Sequence, residues 1–269
     1  MLTERHTALL FAASLLLLSV PAQADMSGLA PLSFPFPFFS RIEMRDASVN
    51  IVVNVPDLNQ DVPLTINVEA TFHMKDATHY MKHSNSEEET IWNVQFPWNM
   101  FGDMEKFKVI SCGFPKETTN DYKARCYSWQ EHFKPGVERI IKVEYEIKVR
   151  KMIKDEIKAV LPAEKRINPY RSINSKPRPR NQYRGTKALI RSLESETAYF
   201  LFDYSLTSGA TWDGPIGRET VNLTFLGWAP QKVLCNQADR LIQKDSSTWT
   251  YQLINEDPTS DLYFALSAH

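Results

Sequence analysis

The chain has 269 residues, and 31 lysines and arginines against 32 aspartates and glutamates leave a formal net charge of −1. That balance supplies no global field to steer it to nucleic acid or to a membrane surface. Hydrophobic residues make up 43% of the chain and aromatics 12%, so a real core is available and disorder is not the default.

The amino terminus predicts an export signal. Met1 to Thr7 carry Arg5, offset by Glu4, and Ala8 to Val20 form an apolar run that includes Leu15 to Leu18. Pro21 and then Ala22-Gln23-Ala24 give the small-x-small pattern of a cleavage site, which places the signal peptide at 1–24. The run is shorter than the roughly 20 residues that a spanning helix needs. Asp25 follows the site where a lipid anchor would require cysteine, and no later stretch is apolar enough to span. The expectation is an exported, periplasmic or extracellular protein with no transmembrane span after cleavage.

Strand patterns dominate the chain beyond residue 40. Before them, Asp25 to Ser40 is rich in proline and phenylalanine and reads as an extended arm. Val49, Ile51, Val53 and Val55 alternate with polar residues, and Leu64, Ile66, Val68, Ala70, Phe72 and Met74 do the same, the period-two signature of half-buried strands. A polar insertion runs from Lys75 to Thr90. Trp92, Val94, Phe96 and Trp98 then resume the alternation. Phe107 to Phe114 and Tyr122 to Trp129 read as a hairpin, with Phe133 to Gly136 as a turn and Ile141 to Val149 as a further strand. Strands at this spacing predict an all-β, β-sandwich-like domain over 25–150.

The composition changes at Arg150. From there to Arg191 basic residues far outnumber acids, and KPRPRNQYR is rich in proline and arginine. This stretch, 151–192, reads as a basic linker or excursion, irregular in its middle, with helix at Met152 to Val160 and at Lys187 to Glu194. Strands return over 193–269, which predicts a second β lobe. Ala198, Phe200, Phe202, Tyr204 and Leu206 share one face, as do Val221, Leu223 and Phe225.

Each class of chemistry meets a plainer reading. There is no G-x-S-x-G elbow, S-x-x-K or H-E-x-x-H. Ser208 beside Gly209 lacks an evident base, and Glu87 to Glu89 read as a solvated charge run. His79, Met81 and His83 form a candidate metal set that would suit copper, against the alternative of exposed histidines in a polar loop. The basic segment could meet an acidic partner, against the alternative of a solvated linker. Trp212 reads either as an aromatic platform for a ligand or as a buried anchor for its glycine-rich loop. The expectation is no cofactor and no catalytic residue.

Three cysteines are present, Cys112, Cys126 and Cys235. If the hairpin forms, Cys112 and Cys126 fall opposite each other within disulfide range, and Cys235 is the free thiol.

The order of these parts carries a resemblance. A strand over Val68 to Phe72, then Phe96-Pro97, Trp129 with Phe133 to Gly136, Tyr145, and the late run YSLTSGATWDGPIG at Tyr204 to Gly217 stand in sequence. The chain resembles an exported bacterial family classed as a domain of unknown function (DUF 4424-like), whose late signature is YxLTTGxxWxGPIG. Ser208 stands where threonine is usual, Trp98 replaces a second proline after Phe96-Pro97, and the basic segment does not match. The amino-terminal half is also loosely similar to the β-sandwich interaction domains of inter-alpha-trypsin inhibitors. The resemblance implies fold and export and brings no catalytic residues. The function expected is a non-enzymatic binding or assembly module of the bacterial cell envelope, with an envelope protein or polymer as partner. The competing expectation is a small envelope hydrolase.

Overall fold

A computed structural model describes residues 27–31, 42–54, 62–77, 89–123, 125–161, 182–206, 212, 215–227, 230–256, 258 and 260–267. The strands are β1 (Ser27–Pro31), β2 (Ile42–Asn54), β3 (Leu64–Asp76), β4 (Thr90–Pro97), β5 (Gly102–Ser111), β6 (Phe114–Pro115), β7 (Thr119–Asp121) and β8 (Cys126–Phe133). They continue as β9 (Glu138–Val149), β10 (Lys151–Met152), β11 (Tyr199–Tyr204), β12 (Ile216–Leu226), β13 (Val233–Cys235), β14 (Leu241–Gln243), β15 (Thr248–Glu256) and β16 (Leu262–Ser267). The helices are α1 (Lys154–Val160) and α2 (Gln182–Ser192).

The alternating segments form a large eight-stranded sheet in the order β14-β15-β12-β2-β3-β9-β5-β6. Two four-stranded sheets, β1-β4-β8-β7 and β10-β11-β16-β13, cover its apolar face. Val49, Ile51 and Val53 of β2, Leu64 to Met74 of β3 in alternation, and Ile141 to Val149 of β9 meet Val94, Phe96, Trp129, Phe202 and Phe264 in one core. The fold is all-β and sandwich-like, as the period-two patterns require.

The partition of the chain differs from the expected pair of lobes. Strand β12, from the far side of the basic segment, lies parallel to β2, with 218–226 against 46–54. Residues on both sides of 151–192 contribute to the same core, so the boundaries at 150 and 193 do not separate two β units. Glycine at 217 permits the junction: a Cβ there would collide with the carbonyl oxygen of Arg45.

Strands β11 and β16 are buried along their whole length. Their even-numbered side chains face the main core, while Tyr199, Leu201, Tyr263 and Ala265 face a second core with Ile157, Leu161, Leu189, Ile190 and Leu193. The ends of the basic segment are therefore helical and apolar on one side. Residues 162–181 lie outside the described residues.

The hairpin expected across Cys112 and Cys126 is not formed. Strand β5 pairs with β6 and β9 in the large sheet, and β8 pairs with β4 and β7 in a small one. Ser111 pairs with Phe114 around a two-residue turn, Cys112-Gly113, both at positive φ (48° and 85°). That is the backbone twist that tight hairpins favour. The chain then crosses to the other sheet. Cys112 is exposed, Cys126 is buried, and all three cysteines are free thiols, which corrects the predicted disulfide.

Candidate functional site

At the margin of the sandwich, between β5 and the β1-β4-β8-β7 sheet, aromatic rings run from the core to the surface. They come from three separate segments. Phe96 of β4 and Tyr127 of β8 are directly paired across their strands. Strand β5 has a register shift between Glu105 and Lys108, with Lys106 at φ 53°. Such a bulge re-aims side chains, and here Phe107 stacks on Tyr127 with centroids 4.0 Å apart and an interplanar angle of 7°. Phe96 lies 5.5 Å from Phe107.

The chain of rings continues outward. Tyr127 is 6.2 Å from Trp98, and Trp98 meets Tyr122 edge-on at 5.4 Å and 89°. Tyr122 is 74% exposed, so most of its ring is open to solvent. The turn that carries it is fixed by its own polar groups: Lys123 N donates to Asp121 Oδ1 at 2.9 Å, and Trp98 N donates to the Arg125 carbonyl at 2.9 Å. Arg125, at φ 52°, places its guanidinium carbon 6.0 Å from the Trp98 centroid, within cation–π range. Lys123 and Arg125 are both exposed. Burial, and then the neighbouring Tyr122, push the Tyr127 hydroxyl above the usual phenol range. The Trp98 indole N–H and the Asn120 amide oxygen are covered and have no hydrogen-bond partner among the described residues. The arrangement offers an open aromatic ring and two exposed cations, which is binding chemistry.

A second cluster centres on Arg139 of β9. Its Nε donates to the His132 carbonyl at 2.7 Å, its Nη2 to Glu89 Oε1 at 3.3 Å, and its Nη1 to the Cys112 thiol at 3.5 Å. His132 Nδ1 sits 3.2 Å from Glu89 Oε2. Partial burial pushes the Cys112 thiol up, but the Arg139 hydrogen bond and charge and neighbouring hydrogen bonds outweigh it, leaving Cys112 below the ordinary thiol range. Burial drives Cys126 to about 11 and Cys235 to about 12. Since the thiolate is the reacting form, iodoacetamide at neutral pH should alkylate Cys112 in the native protein. Cys126 and Cys235 should label only after denaturation, as mapped by peptide mass. Native labelling of either buried cysteine ahead of Cys112 would contradict this structure.

The residues singled out by sequence fare differently. Trp212 is 6% exposed and lies 6.0 Å from Trp92 and 6.3 Å from Phe133, so its faces are occupied by core rings and it is no open platform. His79, Met81 and His83 lie outside the described residues. Ser208 and half of the late signature do too. The Tyr122 surface was missed because its rings are scattered over the sequence. The available signals were Trp98, placed beyond a strand end, and Tyr122 within a polar turn.

No protein-family model matches the chain, and no curated protein does. Among solved structures, it is similar to a Legionella pneumophila protein provisionally described as nutrient-binding, at TM-score 0.51 and 14% identity, covering 90% of this chain and 71% of that one. It also matches an M1 zinc metallopeptidase of Deinococcus radiodurans (TM-score 0.35, 10% identity, 85% of this chain and 44% of that). Native leukotriene A4 hydrolase of Saccharomyces cerevisiae matches at TM-score 0.41 and 11% identity, over 85% of this chain and 30% of that. The chain spans less than half the length of these two enzymes. At such identities the Legionella likeness speaks to fold alone. Among the described residues, no helix is long and apolar enough to cross a membrane.

Proposed function

We propose that this protein is an exported, non-enzymatic binding or assembly module of the bacterial cell envelope. The observation that carries the reading is the outward run of rings ending at Tyr122, with the exposed Lys123 and Arg125 following it in the same turn. An aromatic side chain left this open on a folded support favours contact with a partner. The pattern at Ala8 to Ala24 supports export.

The competing reading, a small envelope hydrolase, draws on the Cys112–Arg139–His132–Glu89 cluster. A nucleophile needs a base within hydrogen-bond reach. Here Arg139 approaches the thiol and Glu89 approaches the imidazole, with no hydrogen bond between Cys112 and His132 among the described residues. The binding reading is the better supported of the two.

The test is capture from an envelope extract of the native host. Immobilised protein should retain a discrete component, and Tyr122→Ala should lose it with little change in stability, since exposed substitutions usually fall within about 0.5 kcal/mol. Capture indifferent to Tyr122→Ala, together with hydrolysis of ester or peptide substrates that Cys112→Ser abolishes, would reverse the assignment.

A further inference from the structure

We infer that the Tyr122 surface binds an acidic glycan, an inference that rests on the binding-module reading and specifies its ligand. The apolar faces of a sugar ring stack on aromatic side chains, and Tyr122 presents an open ring braced edge-on by Trp98 at 5.4 Å. The support is rigid: Trp98, Tyr127 and Phe107 tie that ring to the core, so little ordering is required on binding.

Charge selects the acidic class. Lys123 and Arg125 follow Tyr122 in the turn and are exposed; the exposed Asp121 precedes it and accepts the Lys123 backbone N–H, so the turn carries one positive charge in excess. A carboxylate on the sugar would meet the two cations.

The geometry disfavours a peptide. The adjoining edge strand β7 is three residues long, too short a template for adding an extended peptide strand. Trp98 and Tyr122 stand at 89° to each other and so do not present one continuous apolar face to a helix.

The experiment uses the full mature chain and two probes, alginate as a uronic-acid polymer and dextran as a neutral one, in affinity electrophoresis or calorimetry. Alginate should bind and dextran should not. Tyr122→Ala should weaken alginate binding roughly tenfold, the upper range for one aromatic contact. Lys123→Ser should weaken it less, and added salt should weaken it further by screening exposed charges. No binding to alginate, equal binding to dextran, or alginate binding untouched by Tyr122→Ala would overturn the inference. So would a Tyr122-dependent envelope partner that proves to be a protein, although the binding-module reading would then stand. If no envelope component is retained through Tyr122, the broader reading fails instead.

Discussion

Replacing Asp203 with asparagine should stabilise the protein at neutral pH and flatten its stability between about pH 4 and pH 7. Asp203 lies in β11 and is 4% exposed. Its Oδ1 accepts the Met100 N–H at 2.9 Å, and its carbonyl accepts Asn99 Nδ2 at 2.7 Å, so it fastens the segment after β4 to β11. Burial, opposed by the Met100 N–H and by Arg125 and reinforced by Asp261, raises its carboxyl from 3.8 to about 7. A raised carboxyl pKa means that the folded state holds the proton more tightly than the unfolded chain. Its favourable contribution is complete below 3.8, is lost as pH rises from 3.8 towards 7, and stays lost above that. The span corresponds to about 4 kcal/mol. Asparagine keeps an acceptor for Met100 without the charge. Urea unfolding at about pH 5 and pH 8 measures the effect. A variant less stable than the parent at the higher pH, or one with the parent's pH slope, would refute it.

Trp212→Ala should destabilise the protein by about 3–5 kcal/mol, the range for truncating a large buried aromatic. The indole lies against Trp92 of β4 and Phe133 of β8, and so joins the loop before β12 to the β1-β4-β8-β7 sheet. Its removal leaves a cavity among stiff neighbours that cannot easily collapse. A fall in Tm on the order of 10 °C is expected for a chain of this size. A Tm shift near zero would mean that the tryptophan does not anchor the fold.

The half-buried strands were legible because one face of each meets a core and the other meets water. That is why Leu64 to Met74 alternate in sequence and in burial. Strands β11 and β16 carry a second signal that alternation hides. YFLFDY and LYFALS are buried on both faces, and the odd-numbered faces implied a further cover, which α1 and α2 provide. The hairpin over 107–129 was misread because local pattern identifies a strand without naming its partner. Strand β5 is held by β9, some forty positions along the chain at Lys108↔Glu144 and nearby pairs, a choice invisible in the intervening residues. The surface at Tyr122 was illegible for a similar reason: Trp98, Phe107, Tyr122 and Tyr127 become neighbours only after two sheets have met. Arg139 likewise gathers Cys112, Glu89 and the main chain of His132 from three strands or turns.

The parallel pairing of β2 with β12 sets the order in which this molecule can be made. Asn50 and Asn222 bond side chain to side chain across 172 positions of sequence. Contacts this distant must bear the entropy of closing a long loop before they are rewarded, which slows folding. A chain that has emerged only as far as β9 can pair β2 with β3 and β3 with β9, but the other flank of β2 is bare over residues 46–54. Such a flank is a template for the wrong strand, its own or a neighbour's. Arrival of β12, with β15 then closing over it, removes that hazard, so the last third of the chain protects the first.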